Sequence, residues 1–272
     1  MIIVYGSDLH LEFGGSGVVQ ALQNVDGDVL ILAGDIATVD DYIKMNNPDS
    51  PKGKILQELL KLANEKFIKT IVVAGNHEHY GGEYKSTLRK IRDSLEQYKN
   101  VVLLENEFIS IDDVTFFGST MWTDMGRNPL VTNQIRTSMN DFRKIRVQVG
   151  GAYKKFSPER AVRFHLQSME YLHDALRKND GKFVLVQHHA PFFDSIPYYY
   201  KNDDLSAAYY SQEFERRIID EWFTRNPDVI VHGHVHNAQS YSKYGIDVYV
   251  NTRGYEGIEG SAQDFKFELF TI

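Results

Sequence analysis

Cysteine is absent from the 272 residues, which excludes disulfides, thiolate nucleophiles and cysteine-based zinc sites and leaves the redox compartment open. Long apolar runs are missing too: no window approaches the roughly 20 apolar residues that span a bilayer. The opening Met1-Ile2-Ile3-Val4-Tyr5-Gly6-Ser7-Asp8 enters a strand pattern with no basic segment ahead of it, so a cytoplasmic protein without membrane association is expected. Positive charge is not in surplus. The formal charge of −7 argues against stable, sequence-independent nucleic-acid binding, which rests on a basic surface. There are no internal repeats or low-complexity tracts, and nothing in the sequence speaks to oligomeric state.

What is present is ordinary in bulk and particular in arrangement. An apolar content of 42% with 25% charged residues fits a globular chain with a substantial core. Short apolar runs at 2–7, 28–33, 70–74, 183–187 and 228–232 read as strands buried on both faces. Helical spacing from Lys54 to Phe67, from Tyr84 to Tyr98 and from Gln212 to Thr224 supplies covering helices. Ser157-Pro158-Glu159 announces another, running to about Lys178, with its N-cap and first-position proline. Strand and helix alternate as in layered α/β folds. Residues 101–120, with a turn at Asp112-Asp113, and 238–272, with one at Tyr244-Gly245, read as hairpins of a second sheet. Segments 36–53, 121–156 and 191–210 read as loops, the last two being long for structureless connectors.

Five apolar runs end in polar clusters: Asp8-Leu9-His10, Gly34-Asp35, Gly75-Asn76-His77-Glu78, His188-His189 and Gly233-His234-Val235-His236. Strand ends are where separate segments converge, and in open α/β sheets that rim is the usual ligand crevice. Each cluster alone has a bland reading. Asp8 and His10 fit a solvated turn, Gly34-Asp35 is common turn chemistry, Asn76 fits a left-handed turn, and His77 suits a helix N-terminus. Together they describe a metal site, because seven of the ten histidines, His10, His77, His79, His188, His189, His234 and His236, fall in or beside these clusters. Asp35 is the best-placed bridge, since its two oxygens can each face a different cation. His165 and His173 read as helix residues on the surface or in the core, and His232 as structural. Since donors run from residue 8 to residue 236, residues 1–272 are expected to form a single domain.

In this order the motifs D-x-H, G-D, G-N-H-E, H-x-x-P (His188-His189-Ala190-Pro191) and G-H-x-H resemble the calcineurin-like metallophosphoesterase family over nearly the whole chain. Gly118-Ser119-Thr120-Met121-Trp122-Thr123-Asp124 and Asn251-Thr252-Arg253-Gly254-Tyr255 are similar to segments of its bacterial and phage-associated branch. The resemblance implies a four-layer α/β/β/α sandwich of two packed mixed β-sheets flanked by helices, and two divalent metal ions. By motif, Asp8, His10, Asp35 and His236 would hold one ion and Asp35, Asn76, His188 and His234 the other, with His77 the catalytic histidine and His189 behind the ligands or facing substrate. One departure stands out. Many members carry a second acid three places after the G-D aspartate, where this chain has Thr38.

The implied chemistry is hydrolysis of a phosphomonoester or phosphodiester by in-line attack of metal-bound hydroxide, with His77 assisting the leaving oxygen. Mixed N/O donors suit Mn, Fe or Zn. The expected partner is a small phosphorylated substrate. Nuclease or nucleotide phosphodiesterase activity is the nearest alternative, and a non-catalytic metal-binding scaffold the remoter one. Arg127, Arg136, Arg143, Lys144, Arg146, Lys154, Lys155, Arg160 and Arg163 would form either a basic lid over the site or a solvated face. Phe192-Phe193 and Tyr198-Tyr199-Tyr200 would either stack on a planar substrate group or pack onto the core.

Overall fold

Alternation along the strands, with both faces buried, sets the architecture. The computed structural model describes residues 1–272 except the side chain of Arg127. In chain order the elements are β1 (Ile2–Gly6), α1 (Val18–Gln23), β2 (Val29–Ala33), α2 (Val39–Lys44), α3 (Pro51–Lys66), β3 (Lys69–Val73), α4 (Tyr84–Leu95), β4 (Val101–Leu103), β5 (Glu107–Ile111) and β6 (Val114–Ser119). They continue as α5 (Pro129–Ser138), α6 (Asp141–Lys144), β7 (Arg146–Val149), β8 (Ala152–Lys155), α7 (Pro158–Lys178), β9 (Lys182–Gln187), α8 (Gln212–Ile219), β10 (Val229–His232), β11 (Gln239–Lys243), β12 (Ile246–Val250) and β13 (Glu268–Thr271).

One sheet has the order β13-β1-β2-β3-β4, parallel except for antiparallel β13, and the other β11-β12-β10-β9-β6-β5, with a parallel centre and an antiparallel strand at each edge. Successive residues of a strand point to opposite faces. Thus Ile3, Val29, Ile31 and Ile71 of the first sheet meet Val114, Phe116, Val184, Val186 and Val231 of the second in a core between the sheets. Their neighbours Val4, Leu30, Leu32 and Val72 face α1 to α4, where Leu22, Tyr42, Leu56, Leu59, Leu60 and Ile91 complete a helix-side core. On the far side Phe117, Phe183, Leu185, Ile230 and Val248 meet Met169 and Leu172 of α7 and Phe214 of α8. The result is two mixed sheets face to face with helices outside each.

Several boundaries differ from the sequence reading. Residues 101–120 are divided: β4 extends the first sheet beside β3, and the β5–β6 hairpin belongs to the second. Residues 238–272 divide likewise, with the β11–β12 hairpin in the second sheet and β13 alongside β1 in the first. Segment 36–53 contains α2, at whose start the Thr38 amide and hydroxyl both donate to the Asp41 carboxylate. Segment 121–156 is built rather than loose, with α5, α6 and the β7–β8 ribbon burying Val131, Ile135, Phe142, Val147 and Phe156 against the helix-side core. Helix α8 stops at Ile219 instead of Thr224, because Glu221 takes a left-handed conformation (φ 51°) that ends it. Among the described residues no helix is long and apolar enough to cross a membrane.

Candidate metal centre

The five clusters converge at the carboxyl ends of β1, β2, β3, β9 and β10, on the rim shared by both sheets. The backbone is unusual there. Asp8, His10, Asp35, His234 and His236 all have positive φ, between 45° and 71°, a region in which Asp and His are tolerated better than most residues and which collects at functional sites. Two glycines let the loops close. A side chain at Gly75 would collide with the Asp35 carboxylate, and one at Gly233 with the Asp8 carboxylate and the Ser7 hydroxyl.

The donors form two groups. In the first, His10 Nε2 lies 3.1 Å from His236 Nε2, and His236 Nε2 lies 3.3 Å from Asp8 Oδ1. In the second, His188 Nε2 lies 3.1 Å from both Asn76 Oδ1 and His234 Nδ1. Asp35 Oδ2 stands between them, 3.7 Å from His10 Nε2 and 3.4 Å from His188 Nε2. The arrangement differs from the expectation of one Asp35 oxygen per cation. A single oxygen faces both groups, because Oδ1 accepts the His77 backbone N–H at 2.8 Å.

Hydrogen bonds behind these atoms fix which nitrogens carry lone pairs. His10 Nδ1 donates to Glu12 Oε1 (3.0 Å), His236 Nδ1 to the Glu259 carboxylate (2.9 Å) and His188 Nδ1 to the Ala33 carbonyl (3.0 Å). Each Nε2 therefore points a lone pair inward. Asn76 is held the same way, its amide nitrogen donating to Asp141 Oδ1 at 2.9 Å and leaving its oxygen for the site. Acceptors facing acceptors are stabilised by a cation, and carboxylates or carbonyls behind ligating imidazoles are the usual support of a metal site. The donor set therefore fits divalent metal. With no cation, protons take over part of that role. Burial works against charge on His188, but Asp35 and Asp8 outweigh it and lift the imidazole to about 9. Burial likewise opposes charge on His236, which Asp8 and Glu259 raise to about 10. Burial pushes Asp35 up, yet His188 and His77 hold it well below the usual carboxylate range.

His77 sits just outside the donor groups, in a single helical turn spanning His77–His79. Its position at the start of that turn matches the helix N-terminal reading. Its Nδ1 donates to Glu12 Oε1 at 2.6 Å, its ring lies 4.5 Å from that of His10, and Tyr255 Oη is 3.5 Å from Nε2. Burial opposes its charge, but Asp35 and Glu12 prevail and raise it above the ordinary histidine value. Asn76 is right-handed (φ −74°), not the left-handed turn residue of its bland reading.

Other histidines are set apart. His189 is buried, donates to the Thr120 carbonyl at 3.1 Å and lies behind His234, ring centroids 4.3 Å apart. Burial, with His188 nearby, drops it to about 3. His79 stacks on Tyr84 in the core, His165 bonds to the Ser211 hydroxyl, and His232 to Ser195. Four supporting residues escaped the sequence reading: Glu12, Glu259, Asp141 and the bracing role of Glu78. Glu78 accepts from the backbone N–H groups of Asp35, Ile36 and Gly75, tying the Asp35 loop to the Asn76 loop. Burial and Asp35 raise it to about 8. A carboxylate two residues beyond His10 was the visible signal for Glu12.

A cavity of about 910 Å³ opens above the donors, floored by Asp35, Asn76, His77, His234 and His236. Of the nine basic residues between 127 and 163, Lys144 alone lines it among the described side chains, and the side chain of Arg127 is outside the description. Arg136 instead pairs with Glu159 and Arg146 bonds to the Arg143 carbonyl, so the solvated-face reading holds for these. The aromatic loop is split: Phe192 is buried against Phe214, whereas Tyr199 and Tyr200 reach the cavity.

Comparison with known proteins agrees with this geometry. The profile of the calcineurin-like phosphoesterases matches residues 1–238. An uncharacterized protein of Acanthamoeba polyphaga mimivirus is 24% identical over 269 residues, 93% of this chain and 91% of that protein. Among solved structures, phosphopantetheinyl hydrolase from Mycobacterium tuberculosis is similar at a TM-score of 0.65 and 19% identity, over 93% of this chain and 89% of that one. A dimetal phosphatase from Danio rerio is similar at 0.57 and 14%, over 99% and 91%. Motifs, layered sheets and the donor cluster agree with the profile match: this chain belongs to the calcineurin-like phosphoesterase family.

Proposed function

We propose that the protein is a dinuclear metal-dependent phosphoester hydrolase acting on a small phosphorylated substrate. The observation that carries this reading is the pair of inward-facing lone-pair groups sharing Asp35 Oδ2. Asp8, His10, Asp35 and His236 would hold one divalent ion and Asp35, Asn76, His188 and His234 the other. Bound there, the ions would supply a nucleophile at neutral pH and offset charge on the phosphoryl oxygens. Glu12 fixes the His77 ring through Nδ1 and, with Asp35, favours the imidazolium, whose second N–H at Nε2 would be the proton given to the leaving oxygen. Mn, Fe or Zn suits these mixed N/O donors. A site drawn from residues 8 to 236 implies that the whole chain works as one domain. The similar folds of a dimetal phosphatase and a phosphopantetheinyl hydrolase support hydrolysis of a phosphate ester. The nuclease reading is weaker, because one lysine is the only described cation in the cavity wall.

The test is metal analysis of the full chain together with monoester and diester hydrolysis in Mn²⁺, Fe²⁺ and Zn²⁺. Two metal equivalents and turnover that falls by ~10²–10⁴-fold in His77→Ala at unchanged metal content are expected. Bound metal without turnover of any ester would leave the scaffold reading standing.

A further inference from the structure

The walls of the cavity carry features that the metal chemistry does not use. Beyond the donors the lining includes Ile196, Tyr199 and Tyr200 from the segment before α8 and Phe13 and Ile258 from two other loops. Ile196 is buried, but the other four are large groups left in water: Tyr199 is 72% exposed and Ile258 73%. Apolar surface concentrated at a cleft, rather than scattered singly, marks a binding surface. The loop bearing the tyrosines is anchored. Ser195 Oγ bonds to His232 Nε2 (2.8 Å) and Tyr241 Oη (2.7 Å), Gln239 donates to the Ser195 carbonyl, and Ala190 N–H donates to the Tyr209 carbonyl. On the other side Phe13 meets Tyr255 edge-on at 5.0 Å. The loops that carry these aromatic residues are thus anchored beside the cavity.

Charge on those walls is sparse and mostly of the wrong sign for an extended anion. Lys144 is the one described cation, and its ammonium lies 4.8 Å over the Tyr80 ring. Asp203 and Glu259 are the acids beyond the floor, Glu259 being bonded to His236. A second phosphate in the cleft would meet these carboxylates and phenol rings, with Lys144 as the one described cation to offset the loss of its water. Sites for polyphosphates and nucleic acids instead offer several Arg, Lys or backbone N–H groups.

Building on the hydrolase reading, we propose that the cleft takes phosphate esters whose leaving group is an uncharged body of apolar or aromatic bulk. Substrates with charge beyond the scissile phosphate are turned away. The phosphoryl group would lie on the donor floor, with the neutral body between the Tyr199–Tyr200 wall and the Phe13–Ile258 wall. Aromatic rings and aliphatic chains present the same chemistry to these walls, and the choice of probes separates the two.

The test uses the full chain loaded with Mn²⁺. Binding of naphthalene phosphonate, decyl phosphonate and a sulfonated naphthalene phosphonate is measured by calorimetry, and hydrolysis of naphthyl phosphate and ADP is followed beside it. The sulfonated probe should bind roughly tenfold or more weakly than its neutral parent, and ADP should be the poorer substrate. The double variant Tyr199→Ala/Tyr200→Ala should lose roughly tenfold in affinity for the neutral phosphonates and raise KM for naphthyl phosphate at unchanged kcat. Tyr153→Ala, at an exposed position on β8 away from the cavity, should change neither. Tighter binding of the naphthyl probe assigns rings to the walls, and tighter binding of the decyl probe assigns chains. Equal or tighter binding of the sulfonated probe, or unaltered affinity in the double variant, overturns the proposal. Selective phosphonate binding without turnover would sink the hydrolase reading and leave this inference standing; turnover without selectivity would do the reverse.

Discussion

Glu12→Gln isolates the role of a residue that touches both a metal donor and the proposed acid. Glu12 Oε1 accepts from His10 Nδ1 at 3.0 Å and His77 Nδ1 at 2.6 Å, while Oε2 is buried with no partner. Glutamine can keep its oxygen at the Oε1 position, so both imidazoles retain an acceptor, but the charge is lost and an NH₂ group lands where no acceptor waits. Hydrogen bonds to charged groups contribute about 1.5–3 kcal/mol against 0.5–1.5 for neutral ones, and an unsatisfied buried donor costs about 1–3 kcal/mol. Losing about 1 kcal/mol of support for protonated His77 corresponds to a roughly fivefold fall in kcat. Folding stability should drop by about 1–3 kcal/mol. Because Asp35 and Glu12 raise His77 against the opposing effect of burial, removing one of them lowers its pKa. The acid form is then lost at lower pH, and the alkaline limb of the kcat profile moves to lower pH. Steady-state kinetics on esters with good and poor leaving groups reads this directly, since an alkoxide needs the proton more than a nitrophenolate. The double variant Glu12→Gln/His77→Ala should be no slower than His77→Ala. Strictly additive losses in kcat, or equal losses for both leaving groups, would refute the coupling.

Three further outcomes follow from the site. Metal binding should release protons: His188 and His236 stand at about 9 and about 10 without cations, so loading at neutral pH displaces about two protons and affinity rises steeply with pH. Calorimetry in buffers of different ionisation enthalpy measures the number. In the same metal-free protein, stability gained by these raised histidines is fully present below ~6.5 and lost as pH climbs through 9 to 10, which urea titrations across that window would record. Finally, Gly75→Ala puts a methyl group into the Asp35 carboxylate, so metal stoichiometry should fall toward one or none with a stability loss of about 1–3 kcal/mol; full occupancy in the variant would show that the loop yields.

The sequence carried the strands and the inward-facing donors because both are local signals. A buried strand is a run of β-branched residues, and a donor cluster sits a few residues beyond it. What escaped was set by tertiary partnership. Glu12, Glu259 and Asp141 are unremarkable carboxylates until the histidines and the amide they orient arrive from distant segments. The missing acid at Thr38 is instructive, since Thr38 is committed to the start of α2 and the carboxylate on His77 comes from the loop after β1. Segment 121–156 looked loose because its helices are short and its charges many, although Asn128-Pro129 and the spacing of Val131 and Ile135 mark a helix start. The division of 101–120 between sheets was invisible for a different reason: alternation tells which residues of a strand are buried, but not which sheet the strand joins.

The proposed metal donors are shared between sheets whose strands are made at different times. Asp8, Asp35 and Asn76 follow strands of the first sheet, while His188, His234 and His236 follow strands of the second, and His236 lies 226 positions beyond His10. A growing chain emerges at about 5–20 residues per second, so for many seconds the early carboxylates exist without their imidazoles and neither donor group is whole. On the proposed ligand assignment, cations would be captured at full strength only after the second sheet has docked, which would make loading a late event in biogenesis. Ions held there would tie the two rims together at one end of the core that already packs the sheets face to face.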